Sequence, residues 1–125
     1  MENTRLLDKS QENKEATNLL AEAGKYHAAT SRAYYAVYQK IIYILKRHQK
    51  EVTRIHGRSI KTFQSILTTQ NFLNAIDAAN VANDIYALKE LRKKCDYSQE
   101  YLMDESNYQN KIKPLINAIE CVLGV

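Results

Sequence analysis

The chain has 125 residues, of which 45% are hydrophobic and 26% charged, which fits one packed domain over residues 1–125 and excludes a disordered chain. With 3 Gly and 1 Pro, the many tight turns of an all-β fold are also excluded. The longest apolar stretch, 33–45, is too short to span a membrane, and residues 1–14 lack the apolar segment of a signal peptide. We therefore expect an all-α, cytoplasmic protein without a membrane partner.

The first two predicted helices differ in the width of their apolar faces. The first ends before Gly24 and carries a single stripe, Ala16, Leu19, Leu20 and Ala23. The second spans about 26–48 and carries two stripes: Thr30, Tyr34, Val37, Ile41 and Ile44, and next to them Ser31, Tyr35, Tyr38, Ile42 and Leu45. Adjacent stripes lie about 100° apart, so this helix is central to the fold or also forms an interface. The wide apolar arc predicts a homodimer.

The net charge of +4 is concentrated in one segment. Between residues 40 and 61 the chain has seven basic residues and a single acid, Glu51; the basic residues are Lys40, Lys46, Arg47, Lys50, Arg54, Arg58 and Lys61. Such a segment could contact a phosphate backbone. It could equally be a solvated helix end followed by a basic loop.

The second half of the chain predicts three more helices. Ser59 is a plausible N-cap for a short third helix, and Asn74 caps a fourth that runs to about Lys94. Pro114 lies inside the apolar pattern of the last helix, so we expect a kink or a helix start near Lys111. Short connections favour antiparallel neighbours, and the five helices predict an up-and-down bundle with the second and fourth at its centre.

Arg92 lies on the apolar stripe of the fourth helix, with Ala78, Val81, Ile85, Leu88 and Cys95. An unpaired guanidinium on a packed face costs several kcal/mol. We therefore expect Arg92 to contact Asp96, the 31–35 segment or a bound anion. A local salt bridge with Asp96 and a role in ligand binding both remain open at this point.

The cysteines and histidines suggest no metal site and no cofactor. Cys95 and Cys121 have no histidine at ligand spacing, so we expect two reduced, buried or half-buried thiols. His27, His48 and His56 are not at ligand or catalytic spacing from one another, which favours surface or capping roles. No Gly-rich phosphate loop or nucleophile motif points to another enzyme class.

Two segments carry a family resemblance. Residues 31–38 read Ser-Arg-Ala-Tyr-Tyr-Ala-Val-Tyr and residues 91–97 read Leu-Arg-Lys-Lys-Cys-Asp-Tyr. The first resembles the second-helix signature of the HEPN family (higher eukaryote and prokaryote nucleotide-binding domains), and the second is similar to that family's Arg-x-x-Ala-Asp-Tyr motif at the end of the fourth helix. The His-Gly-Arg-Ser-Ile run at 56–60 matches the entry into the third helix in single-domain members. The resemblance covers residues 15–120.

The resemblance implies an antiparallel helical bundle, commonly dimeric, with the fourth-helix motif near the dimer cleft. Many members are metal-independent endoribonucleases of toxin–antitoxin or defence systems, often encoded beside a minimal nucleotidyltransferase. Their catalytic signature is an arginine followed, after four to six residues, by a histidine. This chain departs from that signature, because the fifth residue after Arg92 is Tyr97 and no histidine follows.

Three functions follow as alternatives. The preferred one is a HEPN-fold protein that binds RNA or a nucleotide through Ser31, Arg32, Tyr35, Arg92, Lys93 and Lys94. The second is a metal-independent endoribonuclease that uses Arg92, Asp96 and Tyr97 as catalytic residues. An ordinary tyrosine, with a pKa near 10, is a poor base at pH 7, which disfavours this alternative. The third is a non-catalytic dimerisation or interaction module.

Overall fold

The computed structural model describes residues 4–123 and contains five helices. Four are α1 (Thr4–Glu22), α2 (Tyr26–Arg47), α3 (His56–Thr69) and α4 (Ala75–Tyr97). The fifth, α5, is continuous and consists of an α-helical turn Glu105–Asn107, a π-helical turn Tyr108–Ile112 and an α-helix Lys113–Leu123. No strand occurs between residues 4 and 123, and the predicted all-α bundle is confirmed.

Local chemistry explains where several helices begin and end. Gly24 follows α1 with φ +76°, a backbone conformation that residues other than glycine rarely adopt. The amide of Lys25 then donates a hydrogen bond to the carbonyl of Leu20 at 2.8 Å, which closes the end of the helix. At the start of α4, the Asn74 side chain accepts a hydrogen bond from the amide of Asp77 at 2.8 Å. The predicted end of the first helix and the predicted Asn74 cap are both confirmed.

The predicted Ser59 cap is wrong. Helix α3 already begins at His56 and has no side-chain cap. Ser59 lies inside the first turn, is 1% exposed, and accepts a hydrogen bond from the Tyr38 hydroxyl at 3.1 Å. Its hydroxyl therefore serves a contact between α2 and α3 rather than the backbone of its own helix.

The irregularity expected near Lys111 is present as a π turn inside a continuous helix. The amide of Lys113 donates to the carbonyl of Tyr108, five residues earlier. Pro114 follows immediately and has no amide hydrogen to continue the ordinary pattern, so the wider turn lies where that pattern is interrupted.

Helix α2 is the central element and contacts all four other helices. Its two stripes are mostly buried against them, and only Tyr35, Ile42 and Ile44 are half-buried. The wide apolar arc is therefore covered largely within one chain, and the arc by itself does not require a second copy. The fully buried side chains of the core include Tyr34, Ile41, Leu45, Phe63, Ile85, Leu88, Tyr108 and Ile119.

None of the helices described between residues 4 and 123 has the length and apolar character needed to cross a bilayer.

His27 fixes the connection between α4 and α5, because its Nε2 accepts a hydrogen bond of 3.1 Å from the amide of the buried Met103.

Candidate functional site

The two motif segments face each other across α2 and α4. The Ser31 hydroxyl donates to Asp96 Oδ2 at 3.3 Å, and Arg92 Nη1 lies 3.5 Å from the same oxygen. Arg92 and Asp96 are one helical turn apart, so both point towards the same part of α2. Residues separated by some sixty positions in the sequence thus form one polar cluster, which we call the Arg92 site: Ser31, Tyr34, Tyr35, His56, Arg92 and Asp96.

Arg92 lies almost entirely inside the protein, with 6% of its surface exposed. Its Cζ is 4.9 Å from the ring centre of Tyr34 and 5.2 Å from that of Tyr35, which is cation–π geometry. Its Nε has no hydrogen-bond partner among the described residues. The prediction that this guanidinium contacts Asp96 and the 31–35 segment is confirmed.

His56 is a member of the site that sequence reasoning missed. It begins α3, and its Nδ1 lies 2.7 Å from the Tyr34 hydroxyl. Its ring stacks on Tyr38 with centres 3.9 Å apart. The expectation of a surface or capping histidine is wrong, because the ring is half-buried within the tyrosine cluster. The available signal was its place at the entry to the third helix, whereas spacing along the chain after Arg92 could not reveal it.

The electrostatic environment keeps His56 neutral. Burial lowers the pKa of its imidazole, and the positive charges of Arg92 and Lys89 lower it further. Burial raises the pKa of the Tyr34 hydroxyl, with a further contribution from Tyr38. At neutral pH the site therefore contains a neutral imidazole next to a protonated phenol, which can donate its hydrogen to Nδ1.

Three tyrosine hydroxyls converge on the first turn of α3. Tyr34 bonds to His56, Tyr86 donates to the carbonyl of Gly57 at 2.9 Å, and Tyr38 donates to Ser59. Two of these tyrosines belong to α2 and one to α4. The position of the imidazole relative to Arg92 is thus fixed by contacts from both helices that carry the motifs.

Tyr35 and Arg32 form the accessible edge of the site. Tyr35 is half-buried, and two guanidinium groups lie close to its ring: the Cζ of Arg32 is 5.4 Å and the Cζ of Arg92 is 5.2 Å from the ring centre. Arg32 also donates to the Asn13 side chain of α1 at 3.2 Å. Of these two predicted binding residues, Tyr35 contacts Arg92 directly and Arg32 lies on the Tyr35 ring, and both are partly exposed.

The remaining predicted site residues are not part of the cluster. Tyr97 is 75% exposed and lies about 140° around the helix from Arg92, so the structure does not bring them together. Lys93 is exposed beside Glu90, with Nζ at 3.8 Å from the carboxylate. Lys94 is exposed, and its Nζ is 5.7 Å from the ring centre of Tyr101.

The cysteines take no part in the Arg92 site. Both are free thiols, and Cys95 is half-buried, with its pKa raised by that burial. Cys121 is exposed, contrary to the expectation of a buried thiol, because it faces outward near the end of α5. Among residues 4–123, no group of three or more His, Cys, Asp or Glu side chains could hold a metal ion.

Comparison with protein-family models, with curated proteins and with solved structures found no match for this chain.

Proposed function

We propose that this chain is a HEPN-fold protein that binds RNA or a nucleotide at the Arg92 site. The observation that carries the proposal is the meeting of the two motif segments: Ser31 contacts Asp96, and Arg92 packs on Tyr34 and Tyr35. A resemblance confined to sequence would not require these segments to be neighbours. Their contact makes a shared site physically reasonable.

The charges and surfaces of the site suit a phosphate next to a base. Among the described residues, Arg92 forms its ion pair with Asp96 alone, at 3.5 Å, and buried charge is weakly screened by salt. Arg32 adds positive charge at the exposed edge beside Tyr35, where its guanidinium fork can bind phosphate oxygens. The partly exposed ring of Tyr35 offers a face on which a base can stack.

The test measures binding by an Arg92→Leu variant. Leucine keeps the buried face apolar, so the fold is retained while the guanidinium is lost. We expect this variant to bind a twelve-nucleotide oligouridine RNA and adenosine monophosphate at least about tenfold more weakly than the wild type, the size expected for loss of a charge-assisted contact. Lys111→Gln, an exposed charge change on α5, is the matched control. Unchanged affinity for both probes in a folded Arg92→Leu protein would contradict the proposal.

Metal-independent RNA cleavage is the second candidate function, and His56 favours it. An imidazole with a lowered pKa is neutral at pH 7 and can accept or relay a proton, the chemistry for which Tyr97 is poorly suited. His56 Nε2 has no hydrogen-bond partner among the described residues. Cleavage of labelled RNA in EDTA that is lost in His56→Gln and kept in Tyr97→Phe would support this function. No cleavage by the wild type would exclude it.

The proposal extends to assembly and setting. We propose a homodimer, which now rests on the resemblance alone, and a role in a toxin–antitoxin or defence system beside a minimal nucleotidyltransferase. Light scattering that shows only the 14.4 kDa species at micromolar concentration would contradict the dimer. A neighbouring gene for a minimal nucleotidyltransferase would support the setting. A dimer that binds neither RNA nor nucleotide would leave an interaction module.

A further inference from the structure

A second positively charged feature lies on the solvent side of α3. It is a groove of about 490 Å³, and we call it the α3 groove. Its floor is the buried side chain of Ile66, and its other lining residues are Lys50, Arg58, Lys61, Thr62, Ser65 and Thr69. The α3 residues of the lining recur every three or four positions from 58 to 69, which makes a stripe about 16 Å long.

The charges in the α3 groove are unpaired within the part of the chain that the structure describes. Lys50, Arg58 and Lys61 are exposed, and among the described residues none of their side chains has an ion pair or a hydrogen bond. No acidic residue of the segment 4–123 lines the groove. By contrast, Lys14 and Lys93 each lie beside a glutamate. The α3 groove therefore concentrates uncompensated positive charge at one place on a basic protein.

The hydroxyl groups of the α3 groove add a second kind of contact. Thr62 and Thr69 donate to carbonyls of their own helix, at 3.0 and 2.9 Å, which leaves lone pairs on their oxygens to accept a hydrogen bond. Ser65 has no hydrogen bond from its hydroxyl among residues 4–123. These groups can bond to a ribose 2′-hydroxyl, a group that distinguishes RNA from DNA.

We propose that the α3 groove binds the sugar–phosphate backbone of single-stranded RNA, with the three cations on successive phosphates. This inference rests on the proposed function, because it assigns a second contact to the same RNA, away from the Arg92 site. A concave stripe of cations and hydroxyls fits a narrow chain of phosphates and sugars. A flat lipid surface would leave the floor and the hydroxyls without contacts.

The experiment compares two triple variants by the fluorescence anisotropy of a labelled twelve-nucleotide oligouridine at 50 to 200 mM salt. The groove variant is Lys50→Gln, Arg58→Gln and Lys61→Gln. The control is Lys9→Gln, Lys25→Gln and Lys111→Gln, which removes the same charge from α1, the α1–α2 turn and α5. Affinity for a nucleic acid falls as salt rises, and three phosphate contacts on a single strand contribute about −2 to the slope of log affinity against log salt concentration. We expect the groove variant to lose this slope and the control to keep most of it.

A separate variant tests the hydroxyl groups. Thr62→Val, Ser65→Ala and Thr69→Val together should weaken oligouridine binding about two- to tenfold, roughly the effect of losing one net hydrogen bond. Binding of a deoxythymidine oligomer of equal length should not change. An equal loss with both oligomers would show that the α3 groove does not recognise the 2′-hydroxyl and would overturn that part of the proposal.

The outcomes separate this inference from the proposed function. Three results would overturn the proposal for the α3 groove. They are equal salt slopes for the groove variant and the wild type, equal losses of slope in the two triple variants, and no binding of oligouridine at 50 mM salt. Equally tight binding to polyglutamate or phosphatidylserine vesicles overturns RNA as the partner. If the groove variant loses the expected slope while Arg92→Leu binds both probes as tightly as the wild type, the α3 groove is supported and the proposed function at the Arg92 site is contradicted. Adenosine monophosphate binding tests the Arg92 site independently of the groove.

Discussion

Removal of the Tyr34 hydroxyl tests the link between α2 and the imidazole of α3. In Tyr34→Phe the ring remains in a fully buried position, and only the oxygen 2.7 Å from His56 Nδ1 is lost. Loss of one partner of a buried hydrogen bond costs about 1 to 3 kcal/mol. Because His56 is half-buried and water can partly replace the hydroxyl, we expect about 1 to 2 kcal/mol. For a domain of this size that corresponds to a decrease in Tm of roughly 3 to 10 °C.

The pH dependence of this loss has a definite sign. The pKa of His56 is lowered in the folded protein, mainly by burial, so the unfolded chain binds more protons than the folded one as the pH falls. The associated stability is fully present above the ordinary histidine pKa of about 6.5 and is lost as the pH falls through the lower folded value. Since the Tyr34 hydroxyl bonds to the neutral ring, the difference between wild type and Tyr34→Phe should shrink from pH 7 to pH 5.

Thermal unfolding of the wild type, Tyr34→Phe, His56→Gln and the double variant, each at pH 5, 6, 7 and 8, provides the assay. The two substitutions should be non-additive at pH 7, because both remove the same hydrogen bond. Equal Tm values for wild type and Tyr34→Phe at pH 7 would refute the reasoning. So would a difference that grows towards pH 5, or strict additivity of the two single variants.

Four substitutions at three further positions test the structure by thermal or urea unfolding. The free energy of unfolding of Arg92→Leu should lie within about 1 kcal/mol of the wild-type value, whereas that of Arg92→Ala should fall by about 2 to 4 kcal/mol because a cavity is left beside Tyr34 and Tyr35. Equal losses in both variants would show that the guanidinium charge itself stabilises the fold. Asn74→Ala should lose about 1 kcal/mol with the cap of α4, and no change would mean that the cap is dispensable. Gly24→Ala should lose about 1 kcal/mol through backbone strain at φ +76°, and an unchanged midpoint would count against that conformation.

Prediction from the sequence succeeded where the information lies within one helix. The periodicity of the fourth helix placed Arg92 on a buried face, and the local chemistry of Gly24 and Asn74 marked helix ends correctly. It failed where two helices meet. Ser59 has the chemistry of a cap, but the packing of α3 on α2 turns its hydroxyl towards Tyr38. His56 reaches the Arg92 site only because of that same packing, which no spacing along the chain encodes.

The tyrosine contacts at the start of α3 reverse the usual order in which a helix opens. Helix ends fray first because their backbone groups lack partners, and α3 has no side-chain cap at its start. Here, however, hydroxyls from α2 and α4 hold His56, Gly57 and Ser59, while Thr68 and Thr69 at the other end are exposed. In hydrogen exchange, α3 should therefore open from its C-terminal end, and His56 should stay beside Arg92 until the bundle itself unfolds.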